Sequence, residues 1–209
     1  MWSDRRLLEL LSIEHPIIQA PMAGAMDARL VIAACEGGAL GSLPCAMLSI
    51  ETMRSEVATI RQHTDRPFNL NFFCHEPLAA DPGAMAAWRT ALAPYYKEAG
   101  LDPAMPLAAA SRAPFSAEAC ALVEEIRPKA VSFHFGLPDE TLLARIKAVG
   151  SVVMGCATNV AEARWLEERG ADIIIAQGAE AGGHRGMFLS HDPAGQVGTF
   201  ALVPQVVDA

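Results

Sequence analysis

Short apolar runs recur along the chain, and each is followed by a stretch in which apolar residues return every three or four positions. The first pattern predicts buried β-strands and the second amphipathic helices. Residues 16–22 (PIIQAPM) read as a first strand, and residues 29–36 as a helix closed by Gly37-Gly38. A second strand is predicted at 39–43, and Ser49 is placed to cap a helix over 50–62. Residues 68–73 (FNLNFF) form a third strand. There the rhythm stalls for an insert at 75–114, whose one helical stretch is 85–97. It resumes with a helix at 116–126 and a strand at 130–135, then a helix at 139–149 and a strand at 152–155. A helix at 160–169, a strand at 172–177 and a last helix at 200–208 complete the series.

Strands that alternate with helices in this way build a parallel sheet covered by helices. An open doubly wound sheet and a closed (β/α)8 barrel both satisfy the pattern. The first β/α turn, Ala20-Pro21-Met22-Ala23-Gly24, lacks the G-x-G-x-x-G fingerprint of the dinucleotide-binding open sheet. The barrel is the better expectation, with its chemistry at the C-terminal ends of the strands. The whole chain then reads as one α/β domain of TIM-barrel type, 1–209, and the long insert as a lid within it.

Polar residues fall where a barrel would need them. Alternation puts Asn69 and Asn71 on one face of their strand, opposite Phe68, Leu70 and Phe72. An inward asparagine needs a partner for its amide, which a polar ligand near the barrel mouth supplies; a capping or turn role is the other reading. In the next strand Ser132 and His134 face away from Val131, Phe133 and Phe135, so His134 points inward at the strand end, as a catalyst or as a satisfied core residue. Gln19 lies inward in the first strand, with a bond to neighbouring backbone as the plain reading. The densest signal is residues 177–186 (QGAEAGGHRG), where four glycines surround an amide, a carboxylate, an imidazole and a guanidinium. Glycines let backbone approach a ligand closely, and histidine suits proton transfer near neutral pH. A polar surface loop is the alternative. Glu124-Glu125 and Glu167-Glu168-Arg169 read as solvated helix faces.

Composition narrows the function classes. The net charge of −8 argues against a nucleic-acid partner, which requires a basic face. The five cysteines are odd in number, with no zinc-type pair, so a reducing cytoplasm and no metal are expected. No apolar run approaches a bilayer span, and the short run 7–11 is broken by Glu9, so no signal peptide is expected there.

Four blocks now carry a resemblance: 16–24 (PIIQAPMAG), 68–73 with Pro77 close behind, 132–138 (SFHFGLP) and 178–188 (GAEAGGHRGMF). In this order and spacing they resemble the nitronate monooxygenases, formerly called 2-nitropropane dioxygenases. The resemblance implies an FMN-dependent TIM barrel. It places backbone at Pro21, Met22 and Ala23 against the flavin ring, and Asn71 and Gln177 in hydrogen bonds to it. Gly182 and Gly183 would give the cofactor room, His184 would be the catalytic base, and His134 would line the substrate pocket. The implied reaction oxidises alkyl nitronates such as propionate 3-nitronate, with O2, to a carbonyl compound and nitrite.

A barrel of this kind runs to about 250 residues, so about six of eight β/α units are expected in these 209. The loops after strands seven and eight, the usual phosphate site, would lie beyond them. The open strand edges would then take a complementing chain or a homo-oligomer. Two rival functions follow: an FMN-dependent NAD(P)H reductase of quinones or enoyl thioesters, and an inactive or split fragment.

Overall fold

The computed structural model describes residues 2–76, 81–105, 113–190 and 192–209. The chain divides into two compact units, residues 1–75 with 112–209, and residues 76–111.

In the larger unit, helix α1 (Arg6–Leu11) is followed by α2 (Ala28–Glu36), β1 (Gly41–Pro44), α3 (Ile50–His63) and β2 (Phe68–Phe73). Helix α4 (Pro82–Glu98) belongs to the smaller unit. Beyond it come α5 (Ala117–Ile126), β3 (Ala130–His134), α6 (Glu140–Ala148), β4 (Val152–Ala157), α7 (Val160–Glu168), β5 (Ile173–Ala176) and α8 (Thr199–Val207). The helices start where polar caps allow. Asp27, Ser49, Ser116, Asp139 and Asn159 each accept a backbone N–H of the first turn.

The five strands are all parallel and lie in chain order, β1-β2-β3-β4-β5. A doubly wound sheet reverses its order part-way so that helices cover both faces. Here the order never reverses, and right-handed crossovers send α3, α5, α6 and α7 to the same side. That is the wall of a (β/α) barrel. The outer face buries Leu43, Leu70, Phe72, Val131, Phe133 and Val153 against α2, α3, α5 and α6. Alternate residues face inward: Ser42, Asn69, Asn71, Ser132, His134 and Met154. At the N-terminal end of the strands α1 seals this interior, with Leu8, Leu11 and Ile13 packed on Leu40, Ala130, Val152 and Met154. Sequence patterning gives no hint of this plug, since only two turns of helix carry it.

The first predicted strand is the main departure. Residues 16–22 pair with the sheet through one parallel bridge, Ile18 to Leu40. Leu40 donates to the Ile17 carbonyl and Gln19 to the Leu40 carbonyl, both at 2.9 Å. The next rung fails because Pro21 has no N–H to give. The Gln19 side chain takes over, its Oε1 accepting from the Ser42 N–H at 2.9 Å. Gln19 therefore bonds neighbouring backbone.

Phe135 is a second departure. It leaves β3 with φ 67°, so the parity that put its ring outward with Phe133 ends one residue earlier. On the solvated face of α5, Glu124 pairs with Arg145 of α6 at 2.7 Å and the exposed Glu125 with Arg54 of α3. In the smaller unit, α4 is capped by Asp81, begins on Pro82 and buries none of its residues. Arg89 there donates to the Met105 carbonyl at 3.0 Å.

Candidate active site

The inward polar residues meet at the C-terminal ends of the strands. Register sets Asn71 beside Ser132 and Phe73 beside His134. The Ser132 hydroxyl accepts from Asn69 Nδ2 at 2.8 Å and from Asn71 Nδ2 at 2.9 Å, joining β2 to β3 across the interior. Asn69 is fully buried while Asn71, one pleat higher, is half-buried. Two buried polar atoms of this interior, Asn69 Oδ1 and Ser42 Oγ, have no hydrogen-bond partner among the described residues.

Above them the segment after β5 folds back over the strand ends, and three side chains shape it. The Arg185 guanidinium donates to the carbonyls of Gly178 (2.5 Å), Ala179 (2.7 Å) and Ala181 (3.1 Å), closing the loop on itself. Gln177 uses both ends of its amide, accepting from the Gly186 N–H at 2.7 Å and donating to the His184 carbonyl at 2.9 Å. Glu180 accepts from the Thr199 N–H at 2.9 Å and so caps α8, whose N-cap position is a glycine. Its own backbone N–H, and after it the contact with Thr199, hold the Glu180 carboxyl below its ordinary pKa.

His134 Nε2 lies 2.8 Å from the same His184 carbonyl oxygen. A carbonyl can only accept, so Nε2 carries the proton and Nδ1 is left as the basic nitrogen. Burial holds the His134 pKa below the ordinary histidine value; the bond to the His184 carbonyl opposes this, while the charges of His184 and Arg185 add to it. Gly186 fits tightly against this ring. A Cβ there would stand 2.7 Å from His134 Cε1 and 2.9 Å from Cys156 Sγ. Cys156 itself keeps its proton, burial raising its pKa to about 12.

The two histidines share an aromatic cluster. Phe73 lies 5.3 Å from the His184 ring and 5.7 Å from that of His134, while Phe135 lies 4.6 Å from His134. His75 joins the rim, 6.1 Å from Phe135, with a buried Nδ1 that has no partner among the described residues. His184, which the loop carries, is exposed.

Over residues 4–209 the sequence matches the family model of nitronate monooxygenase. The chain belongs to the nitronate monooxygenase family. It is 42% identical over 200 residues to the nitronate monooxygenase of Paraburkholderia phytofirmans, covering 95% of this chain and 54% of that protein. Identity to the Pseudomonas aeruginosa nitronate monooxygenase is also 42%, over 95% of this chain and 57% of that one. The chain thus spans a little over half the length of these relatives. Among solved structures it is similar to a nitroalkane oxidase from Streptomyces ansochromogenes, with a TM-score of 0.82 and 35% identity over 97% of this chain and 57% of the other. FabK from Thermotoga maritima is similar at TM-score 0.68 and 26% identity, over 97% of this chain and 50% of that one.

Three of the four sequence blocks that carry the family resemblance meet at Phe73, His134 and His184. Pro77 of the second block lies outside the described residues. Met22 and Ala23 are exposed on the turn after the single bridge, where Ala25 donates to the Met22 carbonyl at 3.1 Å and Gly24 takes φ 80°. Pro21 is half-buried just before them.

Glu162 is the residue that sequence reading passes over. It is fully buried and accepts four hydrogen bonds. Oε2 takes the Thr158 N–H and hydroxyl, both at 2.8 Å. Oε1 takes the N–H groups of Phe188 at 2.8 Å and Leu189 at 3.2 Å. One carboxyl group thereby fastens the end of the site loop to the turn after β4. Its signal was present as Asn159-Val160-Ala161-Glu162, the N-cap and N3 spacing of a capping box. Glu162 departs from that box with both oxygens, one taking Thr158, the residue before the cap, and the other a remote loop.

Among the described residues no cluster of three or more His, Cys, Asp or Glu could hold a metal, and no helix is long and apolar enough to cross a membrane.

Proposed function

We propose that this chain supplies the flavin-ring and substrate end of an FMN-dependent nitronate monooxygenase, with His184 as the base and His134 as its companion in the pocket. The observation that carries this reading is the double grip on the His184 carbonyl by His134 and Gln177. It fixes the backbone of a histidine that the loop holds out over the ends of an inward polar column.

The residues present fit a planar, polar cofactor. Gly182 and Gly183 meet nothing within 4 Å where a Cβ would stand, so internal packing does not explain a glycine at 182. Close approach by a bound ring does. Asn71, the half-buried member of the column, and the exposed turn at Pro21, Met22 and Ala23 would hold the ring from the β1 and β2 side. Gln177 would act chiefly through the loop, since both ends of its amide are engaged there. The flavin, when bound, supplies the redox chemistry. The protein's own part is to orient the substrate, exclude water with Phe73 and Phe135, and take the α-proton of a neutral nitroalkane at the His184 imidazole. Alkyl nitronates, already deprotonated, would bypass that step. The products would be a carbonyl compound and nitrite.

The test is oxygen uptake on propionate 3-nitronate by the purified chain after incubation with FMN and gel filtration. A retained flavin band with nitronate-dependent uptake in the absence of NADH is expected. A similarity to FabK favours one other reading, an FMN-dependent NAD(P)H reductase. Anaerobic bleaching of the flavin by NADH, with no uptake on nitronate, would decide for it.

A further inference from the structure

Phe135 combines two properties that a packing residue seldom has together. It is half-buried, and it holds φ 67°, a left-handed conformation that is unfavourable for an aromatic residue. The ordinary outcome for this sequence is visible next door. Phe133, in regular strand geometry, lies fully buried on the outer face with Phe72 and Phe115. Two more residues of strand would send Phe135 to the same layer. The backbone turns left instead, helped by Gly136 at φ 89°, and the ring arrives at the mouth.

There it meets every ring of the site. Its centroid lies 4.6 Å from His134, 5.2 Å from Phe73, 6.1 Å from His75 and 6.2 Å from His184. All four are edge-on, with interplanar angles of 68° to 87°. Edge-to-face packing of this kind restricts the tilt of both partners. Backbone strain that persists at such a place is held by its surroundings, and it collects at functional sites.

We propose that Phe135 is a positioning residue of the active site, its left-handed backbone turning the ring from the helix layer into the mouth so that its faces and edges set the planes of the His134 and His184 imidazoles. The assignment rests on the reading of those two histidines as the site's proton-handling pair. It adds a residue whose effect is exerted through them.

The experiment compares Phe135→Gly and Phe135→Asn with the unaltered chain by NMR of the histidine ring protons across pH. Glycine and asparagine both accept the left-handed backbone, so the strain is relieved while the ring is removed. Both variants are expected to stay folded, with Phe135→Gly more thermostable than Phe135→Ala. The ring-current displacement of the His134 and His184 signals should be lost, and the His134 midpoint should move up toward the ordinary histidine value. Unchanged histidine shifts and midpoints in either folded variant would overturn the proposal. So would a Phe135→Gly chain less stable than Phe135→Ala, since the backbone would then not be strained. Oxygen uptake on nitronate is measured separately on the unaltered chain. Its failure would sink the proposed reaction and leave the positioning result standing.

Discussion

The His184 carbonyl oxygen, gripped from two directions, ties the behaviour of several residues together. Replacing His184 by Asn should abolish turnover of neutral nitroalkanes far more than of preformed nitronates, as steady-state oxygen uptake would record; equal losses would remove its role as base. Gly186→Ala should act at the same point. The added methyl would press on His134 Cε1, so the His134 ring must move and its bond to the loop weaken. A shifted His134 resonance with the fold intact is the expected sign. For pH dependence the sign follows from burial. The folded chain holds the His134 pKa below its unfolded value, so the unfolded chain takes up the proton first. The associated stability is present above the unfolded value and is lost as pH falls through it toward the folded one. The thermal midpoint should therefore drop more steeply between about pH 7 and about pH 5 in the unaltered chain than in His134→Gln. His184 and Arg185, which face the ring, add to the effect. At this scale the sequence was legible wherever strand alternation held. Asn69, Asn71, Ser132 and His134 all lie inward because a period of two has no other solution. Phe135 was illegible because a single left-handed residue reverses that parity without any change in composition.

Elements were legible where caps and prolines mark them. The helices at 50–63, 117–126 and 160–168 begin one residue after Ser49, Ser116 and Asn159, as their side chains dictate. The first strand was overread, because hydrophobic patterning cannot register that Pro21 removes the donor of the following rung. Helix α1 was missed for the opposite reason: six residues carry too little periodicity, although two of them are buried by distant strands. That gives α1 an energetic weight out of proportion to its length. Leu11→Ala should cost about 2–5 kcal/mol, read from the urea midpoint, because Leu11 is fully buried in the plug. Glu162→Gln should loosen the opposite end. Each backbone N–H left without its acceptor costs about 1–3 kcal/mol. The loss should show as faster amide exchange at Phe188 and Leu189 while the strands stay protected. Equal acceleration everywhere would mean that Glu162 supports the whole fold and not the loop in particular.

In the molecule as a whole, protection against exchange should follow burial. The amides of β2, β3 and β4, paired on both sides and covered on the outer face, should exchange slowest in the larger unit. Within the smaller unit α4 buries no residue, and its amides should exchange early. The chain-order sheet also bears on how the protein comes to exist. Each strand pairs with the one synthesised just before it, so the sheet can grow strand by strand as the polypeptide leaves the ribosome, with one crossover helix at each step except between β2 and β3, where residues 74–129 intervene. Helix α1 cannot join in that progression. It is made first, yet of its partners only Leu40 lies near it in the chain, while Ala130, Val152 and Met154 belong to β3 and β4, and its burial is complete only once they arrive. A nascent chain halted before β4 would carry a formed sheet edge and an N-terminal helix still lacking Val152 and Met154, the state in which a chaperone would find it.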